Sequence, residues 1–351
     1  MEYRYKNKIK IENKLVGIGE PCYIISEIGI NHNGKVDLAK KLIDAAVECG
    51  VDAVKFQKRS LDDLYKDDVL NDPNIDSQGL EILLDVLQEV EFSESEYEEI
   101  IHYCRKKNIT FLCTPWDTPS VDFLEKFDVP AYKIASADMT NLPLIQYIGK
   151  TGKPLIVSTG MSTLEEIEKT VIFIKKQNIP FVLLHCNSTY PAPVELLNLN
   201  LIPLLRTKFD VPIGYSGHEP GIISSLTAAN MESVIIERHI TLDRTMEGID
   251  QAASLEPAEF ANLVKYIRES EKARGTAVKK MTRGEILQRE VLAKSIVCAS
   301  DINEGDSFSE KNIEIKGPAK GLSPQYYYEI LGKKSTRSIK KGQYLLSIDL
   351  K

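Results

Sequence analysis

Two histidines stand where neighbouring predicted strands end. His218 follows the seventh predicted strand, and His239 lies at the end of the eighth. In a barrel of parallel strands, such neighbours end side by side on the rim that carries the chemistry. Two neutral imidazoles with open positions beside them would suit a divalent cation such as Mn²⁺. Taken singly, each is better explained as an ordinary polar loop histidine, and it is their paired placement that supports a metal site.

Two lysines interrupt otherwise apolar strands. Lys55 lies on the inward face of Ala53–Gln57, and Lys133 lies within Ala131–Ile134. A buried ammonium group without a counter-charge is costly. The pattern therefore predicts either an anionic ligand or a salt bridge to a barrel carboxylate such as Glu27.

Hydroxyl side chains recur at the ends of the predicted strands: Thr114, Ser136, Ser158, Ser188 and Ser216. Hydroxyls, backbone amides and lysines that converge on one rim suit a ligand with a phosphate and a carboxylate. Ser and Thr are also common at helix caps, so no single one of these hydroxyls indicates a binding site. The five together do support one.

These groups must be positioned by a repeated strand–helix unit. The first unit runs from Tyr23 to Gln57, and its helix is closed by Gly50. Eight strands are predicted: Tyr23–Glu27, Ala53–Gln57, Thr110–Thr114, Ala131–Ile134, Leu155–Ser158, Phe181–His185, Pro212–Tyr215 and Ser233–Arg238. Eight helical patterns alternate with them, which favours a (β/α)8 TIM barrel of the α/β class; a doubly wound open sheet is the competing layout.

Two stretches depart from this repeat. The connection 58–92 is long for a barrel loop and is either a lid over the substrate or a tolerated surface insertion. After residue 273 the composition changes, which predicts a barrel at 1–273, a linker at 274–293 and a small β-rich module at 294–351.

Composition excludes several classes of protein. The net charge of −7 argues against general nucleic-acid binding, and no apolar run is long enough for a membrane span. Six scattered cysteines indicate a reducing compartment rather than a disulfide framework or a zinc ribbon. The N-terminus has no apolar core for a signal peptide, so we expect a cytoplasmic protein.

Together these residues resemble the sialic acid synthase family, which condenses phosphoenolpyruvate with amino sugars. The resemblance covers nearly the whole chain and rests on ordered motifs: SEIGINHNG, DAVKFQ, FLCTPWD, YKIAS, VSTGMS, LHCNSTYPAP, IGYSGHE, ERHITLD and GLSP. It implies a TIM barrel followed by an antifreeze-like (SAF) domain. It also implies a domain-swapped homodimer in which that domain caps the partner's active site.

The resemblance assigns roles position by position. Glu27 matches the essential acid, and His218 and His239 match the ligands of a divalent metal, Mn²⁺ or Mg²⁺. The positions that match the phosphoenolpyruvate site are Lys55, Thr114, Lys133, Ser136, Ser158 and Ser216. The positions that match the amino-sugar or metal surroundings are Gln57, Tyr190 and Asp250.

Three positions depart from the family pattern. Ser188 stands where some relatives have an asparagine that contacts phosphate, and Gln251 follows Asp250 where some have a histidine. Gly317 stands at the place of a tail arginine, for which Lys320 is the expected substitute. The resemblance implies an N-acetylneuraminate-type synthase acting on a free or 6-phosphorylated 2-acetamido hexose. Legionaminate and pseudaminate synthases, or a non-catalytic carbohydrate-binding relative, remain the alternatives.

Overall fold

The chain divides into two compact units. The structure, a computed structural model, describes residues 8–71 and 80–350. One unit spans residues 1–275 and the other spans 276–351. Among the described residues, no helix has the length and apolar character that crossing a bilayer requires.

The first unit is a closed barrel of eight parallel strands within the described residues. A hairpin of β1 (Ile9–Ile11) and β2 (Lys14–Val16) precedes it. The barrel strands are β3 (Tyr23–Gly29), β4 (Ala53–Lys58), β5 (Thr110–Pro115), β6 (Tyr132–Ile134), β7 (Leu155–Ser158), β8 (Phe181–Cys186), β9 (Ile213–Gly217) and β10 (Ile235–His239). Strand β10 pairs with β3 and closes the ring, so the predicted barrel is confirmed and the open sheet is excluded.

Helices follow the strands and form the outer layer. They are α1 (Val36–Cys49), α2 (Leu61–Leu64), α3 (Asp67–Asn71), α4 (Leu80–Val90), α5 (Glu94–Lys106), α6 (Thr118–Glu125), α7 (Leu142–Gly149), α8 (Leu164–Lys176), α9 (Leu201–Phe209), α10 (Ile223–Asn230) and α11 (Pro257–Arg274). Capping boxes begin α5 at Ser93 and α8 at Thr163, because each side chain accepts from the amide of a glutamate three residues on. The remaining differences from the predicted bounds are of one to three residues at element ends.

Alternation along the strands sorts side chains between two layers. Val54 and Phe56 of β4 pack against the helices, whereas Ala53 belongs to an apolar cluster inside the barrel. Ile9 and Ile11 of the hairpin join that inner cluster from the amino ends of the strands. The barrel interior is therefore filled with apolar side chains at one end, and only its carboxyl end is left for polar groups.

The long connection after β4 contains helices α2, α3 and α4. Leu84, Leu87 and Val90 are buried, as is Phe92 just beyond α4. This part of the connection packs on the barrel. Residues 72–79 of the predicted lid or insertion lie outside the described residues.

The second unit has its own small core, built around Ile296, Phe308 and Ile339. Strands β11 (Ser295–Cys298) and β12 (Ile313–Lys316) pair antiparallel. A short helix, α13 (Tyr327–Ile330), follows them. The predicted linker, 274–293, contains helix α12 (Arg283–Leu292), which begins with a capping box between Thr282 and Glu285.

Candidate active site

Above the apolar layer, the next inward positions of the strands are charged. The register places Glu27 of β3 opposite Lys55 of β4 on one side and His239 of β10 on the other. Lys55 Nζ lies 2.8 Å from Glu27 Oε2, and both side chains are almost completely buried. The second predicted alternative for the lysine, a salt bridge to Glu27, is thus present. Gln57 Nε2 donates to Glu27 Oε1 at 2.9 Å, so the carboxylate is held at both oxygens.

A second carboxylate, Glu237, was not singled out by the sequence analysis. Its Oε1 lies 3.8 Å from Lys55 Nζ and 3.8 Å from Lys133 Nζ, and it accepts from Ser216 Oγ at 3.1 Å. The available signal was strand alternation, because Glu237 precedes His239 by two residues and must share its inward face. The two lysines therefore share one carboxylate between them.

The two lysines have opposite pKa shifts because their neighbours differ. Burial lowers the pKa of Lys133, and the single carboxylate of Glu237 does not offset it. Burial acts on Lys55 too, but Glu237 and Glu27 together outweigh it and raise its pKa. Lys133 is therefore the cation less completely neutralised by the protein, and the better placed to gain from an anionic ligand.

The two glutamates also have opposite pKa shifts. Burial raises the pKa of Glu27 despite the opposing charge of Lys55. Burial also opposes ionisation of Glu237, yet Lys133 and Lys55 lower its pKa overall. When the environment shifts the pKa values of two carboxyl groups in opposite directions, the group with the raised pKa is suited to carry a proton and the other remains a fixed anion.

Hydroxyl groups surround the lysine ammonium groups. Lys55 Nζ donates to Thr114 Oγ1 at 3.1 Å, and Lys133 Nζ donates to Ser158 Oγ at 2.6 Å. At Gly160, a Cβ atom would lie 2.1 Å from Ser188 Oγ and 2.7 Å from Ser136 Oγ. Glycine therefore lets two hydroxyls close in on the backbone, as an anion-binding pocket requires.

A cavity of about 240 Å³ opens at this end of the barrel. Of the fourteen predicted site residues, twelve line it: Glu27, Lys55, Gln57, Thr114, Lys133, Ser136, Ser158, Ser188, Tyr190, Ser216, His218 and His239. Trp116, Met161 and Cys186 line it as well and were not predicted. Asp250 lies beside His239 but does not line the cavity. Lys320 belongs to the second unit, and its predicted role remains a prediction.

The two histidines lie side by side, with ring centroids 5.4 Å apart. Tyr190 stacks on His218 at 4.0 Å and meets His239 edge-on at 5.8 Å. The Nδ1 atom of His218 lies 2.8 Å from the carbonyl oxygen of Asn187. A proton on Nδ1 satisfies that carbonyl and leaves Nε2 free to act as a ligand.

His239 provides the observation that tests the fit of a cation. Its Nδ1 atom is buried and has no hydrogen-bond partner, while Asp250 Oδ2 lies 3.7 Å away. Burial and the nearby cations keep the pKa of His239 well below its usual value, so the ring is neutral. At His218, burial is outweighed by Cys186 and the Asn187 carbonyl, which raise the pKa.

Acidic and basic side chains both surround the cavity. Three buried or nearly buried carboxylates, Glu27, Glu237 and Asp250, lie near the two ammonium groups of Lys55 and Lys133. An added dication would make the cavity more positive and so favour an anionic ligand. Among the described residues, no three His, Cys, Asp or Glu groups already converge in a coordination geometry. The residues therefore fit a cation held by two imidazoles, with water or ligand completing its shell.

Comparison with known proteins places this arrangement in a family. Residues 42–279 match the NeuB family, and residues 293–351 match the SAF domain. The chain belongs to the NeuB family. Its barrel and the β-rich unit that follows are thus the two parts expected of the fold.

The NeuB-family chain is similar to proteins that make several nonulosonic acids. It is 40% identical to N,N'-diacetyllegionaminic acid synthase of Campylobacter jejuni, over 92% of this chain and 98% of the relative. It is 36% identical to human N-acetylneuraminate-9-phosphate synthase, over 94% and 93% of the two chains. The solved structure of N-acetylneuraminic acid synthetase from Leptospira borgpetersenii, in complex with citrate, matches with a TM-score of 0.73 and 34% identity, over 82% of this chain and 96% of that one.

Proposed function

We propose that this protein is a nonulosonate synthase that condenses phosphoenolpyruvate with the open-chain aldehyde of a 2-acetamido hexose of the N-acetylmannosamine type, free or 6-phosphorylated. The observation that carries the proposal is one buried cavity lined by Glu27, Lys55, Lys133, His218 and His239. The family and its synthase relatives supply the reaction class.

The lysine side of the cavity is suited to phosphoenolpyruvate. Lys133 and Lys55, with the hydroxyls of Ser158 and Thr114 on their ammonium groups, present donors to a phosphate and a carboxylate. Ser136 and Ser188 close on the backbone at Gly160 and add two more hydroxyls. The main gain from this set is positioning, since it fixes the methylene carbon of phosphoenolpyruvate against the sugar aldehyde.

Glu27 is the group placed to move a proton. The methylene carbon bonds to the aldehyde carbon, whose oxygen takes up a proton and becomes a hydroxyl. Water adds to the carbon that carries the phosphate ester, and cleavage of that carbon–oxygen bond releases phosphate and leaves a ketone. The two protons of the water are thereby divided between the new hydroxyl and the phosphate. The water must lose a proton, and the raised pKa of Glu27 brings this carboxyl group closer to the range of a general base. Glu237, whose pKa is lowered, keeps its charge and holds the two lysines.

His218 and His239 would hold the divalent cation, with Asp250 beside them. When bound, the cation supplies Lewis-acid polarisation of the aldehyde oxygen. The protein's own part is to keep both rings in place: Tyr190 stacks on one, and the Asn187 carbonyl fixes the proton on its Nδ1.

The lowered pKa of Lys133 predicts an early alkaline limit to phosphoenolpyruvate use. The ammonium form holds the anion, and burial makes it lose its proton below the ordinary value of 10.5. We expect kcat/KM for phosphoenolpyruvate to fall as pH rises through a value below 10.5, and the fall to move to higher pH in Lys133→Arg, because guanidinium stays protonated. An alkaline limb at the same pH in both proteins would contradict this assignment.

The central experiment measures phosphate release from phosphoenolpyruvate with a panel of sugars. We expect release with N-acetylmannosamine or its 6-phosphate, and none without a sugar. The panel also includes the 2,4-diacetamido trideoxy sugars that lead to legionaminate and pseudaminate, since relatives with those products are as similar as the sialic acid synthases. Release only with a trideoxy sugar would reassign the product, and no release with any sugar would favour a carbohydrate-binding protein without turnover.

We also propose that two copies form a homodimer in which the second unit of each chain covers the partner's barrel opening. None of the residues of α12 is buried, and Leu287 and Val291 share one face of that helix, 54% and 69% exposed. Lys and Arg outnumber Asp and Glu from residue 276 onward, and the reverse holds before it, so the net charges of the two units are opposite in sign. The cytoplasmic location stays a prediction.

Light scattering after gel filtration tests the dimer. The double substitution Leu287→Asp and Val291→Asp is expected to yield a monomer, because charges would be buried in the contact. Ile172→Asp on barrel helix α8, where the side chain is 46% exposed, is the matched control and should remain dimeric. A double variant that elutes with the mass of the unchanged protein would exclude α12 from the contact.

A further inference from the structure

A fully buried ion pair lies on the outward side of the barrel wall, outside the cavity. Arg238 Nη1 lies 3.0 Å from Glu219 Oε1, and both side chains have no exposed surface. Arg238 belongs to β10, and Glu219 belongs to the loop that follows β9. The pair therefore joins the carboxyl ends of two neighbouring strands.

The pair is the centre of a hydrogen-bond network. Arg238 donates to Ser225 Oγ at 2.9 Å and to the carbonyl oxygens of Gly221, at 2.8 Å, and Glu219. Glu219 also accepts from Tyr215 Oη and from Ser225 Oγ, each at 2.8 Å. One guanidinium thus fixes the loop backbone at two residues and ties it to the start of α10.

Both members of the pair adjoin a candidate metal ligand in sequence. Glu219 follows His218, and Arg238 precedes His239. Because side chains alternate along a strand, the outward position of Arg238 directs His239 into the cavity. On the other side, His218 is fixed by the Asn187 carbonyl, so its ring is held between two anchors.

Gly217 shows how tightly this region is packed. A Cβ atom there would lie 2.4 Å from Glu219 Oε2 and 2.6 Å from Tyr215 Cε1. Glycine is therefore required if the glutamate is to reach the arginine. Any larger residue would push the loop that carries His218.

Stability alone gives no reason to bury two charges here. Removing charges from water is costly, and well-packed apolar residues of similar volume are often equally stable or more so. In contrast, the guanidinium of Arg238 has several donors on a rigid strand, and these can fix the position of the loop after β9. We propose that the Glu219–Arg238 pair is a positioning device that holds His218 and His239 at the separation a shared divalent cation needs; this rests on the proposed metal site.

The test is the affinity for Mn²⁺, measured by calorimetric titration of the full chain without substrates. Arg238→Lys keeps the charge and removes the fork, and Glu219→Gln keeps the size and removes the charge. Loss of groups that orient metal ligands typically weakens binding about 10–100-fold. We expect a weakening of about tenfold or more in each variant, with melting temperatures recorded alongside.

The matched control is a similar arginine fork at the opposite end of β10. Arg206 Nη1 lies 2.9 Å from Glu232 Oε2, and Arg206 Nη2 donates to the carbonyl oxygens of Met231 and Glu232. Arg206→Lys should leave the Mn²⁺ affinity unchanged even if its melting temperature falls.

The outcomes separate the two proposals. Wild-type affinity in Glu219→Gln and Arg238→Lys would overturn the positioning role and leave the metal site intact. Equal weakening in Arg206→Lys would also overturn it, because the effect would then be one of general stability. Absence of Mn²⁺ binding by the unchanged protein would refute the metal site and this inference with it. If Arg238→Lys does not fold, Glu219→Gln decides alone.

Discussion

Glu27→Gln is expected to abolish turnover while leaving a folded protein. The amide occupies the same space and its oxygen can still accept from either Gln57 or Lys55, but it cannot accept a proton from water. A positioned general acid or base typically contributes about 10²–10⁴-fold, so phosphate release should fall by at least that order. The measurement is kcat for phosphate release from phosphoenolpyruvate with the preferred sugar.

A partly buried carboxylate outside the cavity, Glu91, provides the control. Glu91 accepts from Lys58 Nζ at 2.7 Å but does not line the cavity. Glu91→Gln should retain activity within about tenfold, since it removes an ion pair without removing a reacting group. Near-normal turnover in Glu27→Gln would remove Glu27 from the mechanism, whatever Glu91→Gln does.

Removal of the divalent cation is expected to have the other large effect. Lewis-acid stabilisation of a developing charge is worth several kcal/mol, so a chelator should reduce phosphate release on the order of a thousandfold. Mn²⁺ or Mg²⁺ added in excess should restore it, because the proposed site lies in a cavity that is open to solvent. His239→Ala should show the same loss without restoration, since an imidazole that faces the cavity is gone.

His185 is the matched control for the histidines. It is buried near the same rim, but its Nε2 atom is paired with the Leu197 carbonyl at 2.6 Å and it does not line the cavity. His185→Gln should keep its response to Mn²⁺. Full activity of the unchanged protein in excess chelator would show that the reaction does not need a divalent cation.

The strand faces could be predicted from the sequence because they depend on backbone geometry alone. Side chains alternate, so apolar Val54 and Phe56 on one side forced Lys55 to the other. The structure confirms this: Lys55 is 2% exposed inside the barrel, while its neighbours pack under the helices. The order of the motifs also sufficed for the family, which the match to residues 42–279 shows.

The partners of these side chains could not be predicted, because they depend on register between distant strands. The sequence left Lys55 with a choice between a ligand and Glu27, and only the pairing of β3 with β4 sets the 2.8 Å contact. Strand alternation alone could have placed Glu237 on the inward face with His239, but its two lysine partners depend on the pairing of distant strands. Helix α12 within the predicted linker was not predicted, because the segment is polar and basic and none of its residues is buried.

The hairpin before β3 limits the routes by which ligands can reach the cavity. Its isoleucines fill the amino end of the barrel, so the cavity opens at the carboxyl end. In the proposed reaction, we expect both substrates to enter, and phosphate and the condensed acid to leave, through the carboxyl end of the barrel.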